Sequence, residues 1–172
     1  MNENTLGFGI ASQMLAGIHT LKDCIDRCPN NEWNEKHNDY PFSQVVFHTL
    51  FDCDLSLSDN VNELKDQEFH KQKIDVFSGY EELEDKERNH VYEREFINRY
   101  FEHCKNKIEM VIGSKSNEEL LLLNSDFYRS MTKSERYINA IRHIQHHAAQ
   151  LGLRIQFLNG QEMNWISKWN GK

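Results

Sequence analysis

The sequence predicts an all-α protein, an antiparallel four-helix bundle that forms a single domain over residues 1–172. Apolar residues recur at spacings of three and four along four segments, and this period places them on one face of a helix. Only Pro29 and Pro41 interrupt the chain, and long stretches without proline favour helices. Two capping boxes in the second half of the sequence mark the starts of further helices.

The first two helices are predicted over residues 8–28 and 43–58. The first has one apolar stripe, which consists of Met14, Ile18, Leu21 and Ile25. A polar loop over 29–42 follows it. Ser43 is expected to be the N-cap of the second helix, because a side-chain hydroxyl can accept a hydrogen bond from the first turn.

Residues 59–89 are charged and lack a helical period, so they predict a long connection with one helical turn that crosses one end of the bundle. The third helix is predicted over 90–113. Ser116 and Glu119 form the first capping box and open a short helix that ends at 123. Thr132 and Glu135 form the second box and open the fourth helix, over 133–152.

The tail over 153–172 has no clear pattern. Trp165 and Trp169 lie four residues apart, a spacing that suggests a final helical turn packed on the bundle or on a partner chain. A homodimer is therefore expected.

Charge and hydropathy exclude two classes of partner. The net charge of −7 repels a polyanion, and no run of Lys or Arg offers a basic patch, so nucleic acid is not expected to bind. No apolar segment reaches the length of a membrane span, and residues 6–18 lack the basic region that precedes a signal peptide core. We therefore expect no membrane partner and a cytoplasmic location.

The histidines of the fourth helix suggest a metal site. His143 and His147 are four residues apart, so their rings share a face of the helix. On a helical wheel they fall roughly 120° and 80° from the centre of the apolar stripe, whereas His146 falls near 180°. The pair at the edge of the core is thus His143 and His147, and His146 is expected to face solvent.

A third ligand must come from another helix, and His48 in the second helix is the best candidate. His103 in the third helix is the reserve. Asp52 follows His48 by one turn and could orient it, but a solvated carboxylate is favoured. No HExxH motif is present, which excludes a zinc protease of that type. Metal affinity should fall below a pH of about 6.5, because each ligand must be neutral to bind.

Three segments carry a resemblance to a known family: PFSQVVFHTLFD around His48, EREFINRYFEHCKNKIEMV, and HIQHHAAQL in the fourth helix. The last resembles the HxxxHxxQ signature of the DinB/YfiT-like family of metal-dependent enzymes. The helix spacing is similar over roughly residues 8–152. In that family a basic or glycine pair often follows the final histidine. Ala148 and Ala149 stand there in this chain, which removes any anion-binding role of an arginine.

The resemblance implies a three-histidine site for one divalent metal ion, with zinc, nickel or iron all suited to imidazole ligands. It also implies an enzyme that transfers a low-molecular-weight thiol to an electrophilic small-molecule substrate. Two alternatives remain open at this point. One is a metal-dependent hydrolase, and the other is a non-catalytic protein that binds metal or a stress-related ligand.

Overall fold

The computed structural model describes residues 5–36, 40–81, 90–124 and 130–171. These residues are mostly helical. The eight α-helices are α1 (Thr5–Arg27), α2 (Phe42–Ser56), α3 (Val61–Asp66), α4 (Glu68–Lys71), α5 (Ile74–Phe77), α6 (Arg94–Gly113), α7 (Asn117–Leu121) and α8 (Lys133–Asn159). A 3₁₀ turn covers Asn30–Glu32, and the short strands β1 (Leu123–Asn124) and β2 (Met131–Thr132) pair antiparallel.

Three of the four long helices, α1, α2 and α6, begin and end within four residues of the predicted positions, because their apolar stripes are buried as expected. The stripe of α1 is fully buried, and so are Ile97, Cys104 and Ile108 of α6. Both capping boxes are present, at Ser116 and at Thr132. Ser43 is not the N-cap of α2, since the helix starts one residue earlier after Pro41 and the Ser43 hydroxyl bonds the Asn34 side chain instead.

The helix α8 is seven residues longer than predicted and ends at Asn159. Its C-cap is Gly160, with a φ of 73°, a left-handed conformation that glycine adopts without steric cost.

The long helices α1 and α2 each pack against both α6 and α8. The helices α2 and α8 run in opposite directions: Arg154 near the end of α8 donates to the carbonyl of Tyr40, just before α2 begins, while Arg136 near the start of α8 donates to the carbonyl of Leu55. The helices α1 and α6 also run in opposite directions, because Arg94 bonds the carbonyl of Cys28 while Phe101 contacts His19.

The pairs α1 with α8 and α2 with α6 run in the same direction. Gly17 and Cys24 lie beside Ile144 and Ala148 in that order, and Leu50 and Asp54 contact Cys104 and Lys107 in that order. The predicted antiparallel order therefore holds for only some of the neighbouring helices.

The parallel order of α2 and α6 follows from the connection between them. Residues 61–77 carry three short helices where one turn was predicted, and they lie along α2 and α6 instead of crossing one end. Phe77 packs its ring against those of Phe47 and Tyr100. The chain thus returns to the end where α2 began, and there Tyr92 accepts a hydrogen bond from the Trp33 indole. Residues 82–89 of the connection lie outside the described residues.

A buried polar network fastens this connection to the long helices. Asp54 of α2 accepts a hydrogen bond from Lys107 Nζ at its Oδ1, at 2.6 Å, and one from the Tyr100 hydroxyl at its Oδ2, at 3.1 Å. His70 Nε2 lies 2.7 Å from the same Oδ2. The second ring nitrogen of His70 contacts Glu81. Two carboxylates thus face the imidazole of His70, and the ammonium of Lys107 offsets the buried charge of Asp54.

The segment after Gly160 runs along α1 without regular secondary structure. Asn164 binds Asp23, and the carbonyl of Trp169 accepts a hydrogen bond from Ser12. Trp169 stacks on His19 with ring centroids 3.6 Å apart, whereas Trp165 is 65% exposed. The prediction that this tail packs on the helices is confirmed for Trp169. The predicted helical turn is wrong, because side chains of α1 satisfy the backbone groups of the tail.

Candidate metal centre

The candidate site lies between α2 and α8, which pack against each other in opposite directions. His48 lies in the middle of α2, and the i,i+4 pair His143 and His147 lies one turn apart on α8. The structure brings the three rings together. His143 Nε2 lies 3.2 Å from His48 Nε2 and 3.1 Å from His147 Nε2.

These separations match the coordination sphere of a transition-metal ion. Imidazole nitrogens bound at about 2.0–2.1 Å, with ligand–metal–ligand angles between octahedral and tetrahedral values, lie about 2.9–3.4 Å apart. A hydrogen-bonded arrangement fits less well, because each neutral imidazole has one N–H and one acceptor nitrogen. Three Nε2 atoms that converge on one point fit a shared cation better than they fit one another.

Two side chains orient the histidines of α8 from behind. Asp52 Oδ2 lies 3.1 Å from His143 Nδ1, and Gln150 Oε1 lies 2.9 Å from His147 Nδ1. An oxygen acceptor at Nδ1 favours the tautomer with its proton there, which leaves the lone pair of Nε2 for a metal. The prediction that Asp52 is solvated holds only in part, because its side chain is 31% exposed but its Oδ2 is buried against His143. Asp52 reaches from α2 to α8, whereas the sequence suggested only His48 as its partner.

The protonation of the site also suits a metal ligand set. Loss of hydration, followed by the nearby His143 and His147, lowers the pKa of His48 to about 4, although part of its ring remains exposed. Loss of hydration also lowers the pKa of His147. Burial by itself raises the pKa of Asp52, but the neighbouring His143 outweighs it and keeps that pKa below the usual range. His48 and His147 are therefore neutral, and Asp52 is charged, near neutral pH.

The site is open on one side. His48 is exposed, while His143 and His147 are half-buried. His146 is exposed and stands beside the group, with its ring centroid 5.0 Å from that of His147. Solvent or a small molecule can thus approach the three Nε2 atoms from the side of His48.

A second group with metal-ligand spacing consists of Asp54, His70 and His103. The reserve ligand His103 belongs to this group, where its Nε2 lies 2.8 Å from Gln67 Oε1. Lys107 already neutralises Asp54, and carboxylates face both ring nitrogens of His70. This group is satisfied by protein partners, so we interpret it as the structural network described above. His70 lies in the aperiodic connection, where no sequence pattern marks it as a site residue.

No family model matches the sequence, and no match was found among curated proteins or among solved structures. The resemblance to the DinB/YfiT-like family remains a prediction from its motifs. Among the described residues, no helix is both long and apolar enough to cross a membrane.

Proposed function

We propose that His48, His143 and His147 bind one divalent metal ion, of the zinc, nickel or iron type, in a metal-dependent enzyme. The observation that carries this proposal is the convergence of three Nε2 atoms, with His143 Nε2 at 3.1 Å and 3.2 Å from the other two. The ring of His48 is neutral near neutral pH, and Gln150 and Asp52 lie beside the Nδ1 atoms of His147 and His143. Neutral imidazoles with an oxygen group at Nδ1 are typical ligands of a metal cation.

The exposed position of His48 favours an enzyme over a closed metal store. Three protein ligands on one side of an ion leave at least one coordination position free, which is typical of catalytic zinc sites. Structural sites are usually closed by four protein ligands. Among the described residues, no fourth His, Cys, Asp or Glu joins this group.

For the reaction, we propose transfer of a low-molecular-weight thiol to an electrophilic small molecule, as the resemblance to the DinB/YfiT-like family implies. When bound, the ion supplies a Lewis acid that lowers the pKa of a thiol in its open position. The thiol gives its proton to solvent, and a sulfur electron pair forms a bond to the electrophilic carbon. With an aryl chloride, the chloride leaves with the electron pair of the broken carbon–chlorine bond.

The finer features of the fold belong to the same proposal. We infer that α1, α2, α6 and α8 form the four-helix bundle of that family, and that the protein forms a homodimer. Light scattering tests the dimer, and the mass of a single chain at micromolar concentration would reject it.

Zinc titration, followed by elemental analysis of the bound metal, tests the metal site. The protein should be purified without a nickel column, because such a column could load the site, and then stripped with a chelator. We expect titration with zinc to give one equivalent per chain. Zinc that binds with no defined stoichiometry, or with equal affinity after His143→Ala, would reject the site.

An assay with cysteine as the thiol and 1-chloro-2,4-dinitrobenzene as the electrophile tests the reaction. After subtraction of the uncatalysed rate, we expect loss of thiol and release of chloride in equal amounts, and only with metal-loaded protein. Chloride release without loss of thiol would indicate hydrolysis instead. Equal rates for the loaded wild type and the His143→Ala variant would show that the site does not catalyse this transfer.

A further inference from the structure

The central histidine of the site has a carboxylate behind it that the proposed ligand set does not include. We propose that Asp52 is a positioning residue, which holds His143 in the tautomer and orientation that direct its Nε2 at the metal position. This proposal rests on the proposed function for its purpose. Its geometry is independent of any bound metal.

The contact between Asp52 and His143 joins the two helices of the site. Asp52 lies one turn after His48 on α2, so one helix supplies both a ligand and the orienting group for a ligand on α8. The Oδ2 and Nδ1 atoms are 3.1 Å apart and are both buried. Their separation is within hydrogen-bond range, but the contact lacks full hydrogen-bond geometry, and neither atom has any other hydrogen-bond partner among the described residues. Because a buried polar atom without a partner is costly, the two atoms need each other.

His143 is the ligand whose orientation matters most. Its Nε2 lies within 3.2 Å of the Nε2 atoms of both other histidines, so it is the centre of the group. Rotation of this ring would remove both short separations at once. His147 is oriented by the neutral amide of Gln150, whereas the group beside Nδ1 of His143 is a carboxylate. A carboxylate also raises the basicity of the ligand nitrogen and places negative charge close to a cation.

Two substitutions at Asp52 separate positioning from charge. Asp52→Asn keeps an oxygen that can accept the Nδ1 proton, while Asp52→Ala removes the acceptor. Zinc affinity of chelator-stripped protein should fall roughly 10–100-fold in Asp52→Ala. The Asn variant should lose clearly less. Asp26→Asn, which changes an exposed carboxylate of α1 paired with Lys22, is the matched control and should bind as the wild type does.

Nitrogen NMR of the histidine rings in metal-free protein gives a second measurement, which does not depend on metal binding. We expect His143 to carry its proton on Nδ1 in the wild type and in Asp52→Asn, and to become a mixture of tautomers in Asp52→Ala. Circular dichroism should show the same helix content in all variants. If Asp52→Ala misfolds, the wild-type and Asp52→Asn spectra still decide.

The outcomes separate the two proposals. A His143 proton on Nε2 in the wild type would overturn the role of Asp52. Equal zinc affinity in the wild type and Asp52→Ala, or equal losses in the Asn and Ala variants, would also overturn it. An Nδ1 proton that depends on Asp52, in a protein that binds no zinc, would support positioning by Asp52 and reject the metal site.

Discussion

At the scale of single residues, the register of α8 decides which histidines meet. The Nε2 atoms of His143 and His147 are 3.1 Å apart, whereas His146 is exposed and its ring nitrogens are not among the converging ligand atoms. A shift of one residue along a helix turns a side chain by about 100°, so the neighbours His146 and His147 cannot exchange roles without rotation of the helix. This difference gives a sharp test of the ligand set.

We expect substitution of His48, His143 or His147 by Ala to weaken zinc binding at least tenfold, because two imidazoles remain where three converged. His146→Ala should bind zinc as the wild type does, and it serves as the matched control on the same helix. Calorimetric titration of the stripped proteins measures each affinity. Equal losses in His146→Ala and His147→Ala would mean that the register is wrong.

The pH dependence of stability provides a second test at this scale. The pKa of His48 in the folded, metal-free protein is about 4, below its ordinary value of 6.5. The unfolded chain therefore binds more protons between these values, and its share of the population grows as pH falls. The contribution of His48 is fully present above the ordinary value and is lost as pH falls toward about 4.

Urea unfolding of metal-free protein at pH about 7.5 and about 4.5 should show this loss. The loss should be smaller in His48→Ala than in the wild type, and His146→Ala should keep the wild-type dependence. The same shift means that protons compete with metal at His48 only in more acidic solution than the ordinary histidine value suggests. If His48 titrates near its ordinary value by NMR, this explanation of the pH dependence is wrong.

At the scale of elements, the polar network around Asp54 ties α2, α4 and α6 together. Asp54 is fully buried, and its carboxylate contacts Lys107 at 2.6 Å. Lys107 also donates to Ser58 at 2.6 Å and to the carbonyl of Asp54 at 3.1 Å. The ammonium is therefore well solvated by the protein, but only while the negative charge of Asp54 is present.

We expect Asp54→Ala to lower the free energy of unfolding by about 3–5 kcal/mol, because it leaves the buried ammonium of Lys107 without its counter-charge. The control is Asp59→Ala, which removes an exposed carboxylate from its pair with Lys133 at 2.8 Å. That change should cost less than about 1 kcal/mol. Urea unfolding of both variants at neutral pH measures the difference. Similar small losses would mean that the network does not hold the connection.

The sequence predicts those elements that are stabilised by local features, such as an apolar stripe or a cap. The stripes of α1, α2, α6 and α8 and the capping boxes at Ser116 and Thr132 are local features, and they place the helices to within a few residues in most cases. The helix α3 does have a local signal that was missed: the Asn60 side chain caps it by accepting a hydrogen bond from the Glu63 N–H. The short helices α4 and α5 have no local pattern, and tertiary contacts of His70 and Phe77 stabilise them. The parallel packing of α2 and α6 depends on that connection and was missed for the same reason.

The candidate site divides in the same way. The i,i+4 spacing and the helical wheel suffice to select His143 and His147 over His146. The contact of Asp52 with His143 joins residues that are distant in sequence, and only the packing of α2 on α8 determines it. The prediction of a solvated Asp52 missed this contact, because a helical wheel does not show which residues of another helix face a side chain.

At the scale of the whole molecule, the C-terminal tail packs along α1, the first helix of the chain. Its backbone is satisfied by side chains of α1, including Ser12, Gln13 and Thr20. Met163 packs closely on Gly152, where a Cβ atom would stand 2.5 Å from the Met163 sulfur. The tail is therefore fitted to the surface of α1 and α8 and is expected to unfold together with the helices.

The two tryptophans of the tail provide a matched pair for testing this expectation. We expect Trp169→Ala to lower the free energy of unfolding by about 1–3 kcal/mol, since the half-buried indole loses its stacking contact with His19. Trp165→Ala should change it by less than about 0.5 kcal/mol, because that side chain is 65% exposed.

Burial is the largest cause of the lowered pKa of His19, and loss of the indole should move that pKa back toward its ordinary value. In the wild type, the lowered pKa of His19 contributes stability that is present above pH 6.5, the ordinary pKa, and is lost as pH falls. In Trp169→Ala this pH-dependent contribution should therefore be smaller. Proton NMR of His19 and urea unfolding of both variants measure these changes, and an unchanged His19 titration in Trp169→Ala would show that the tail does not cover α1.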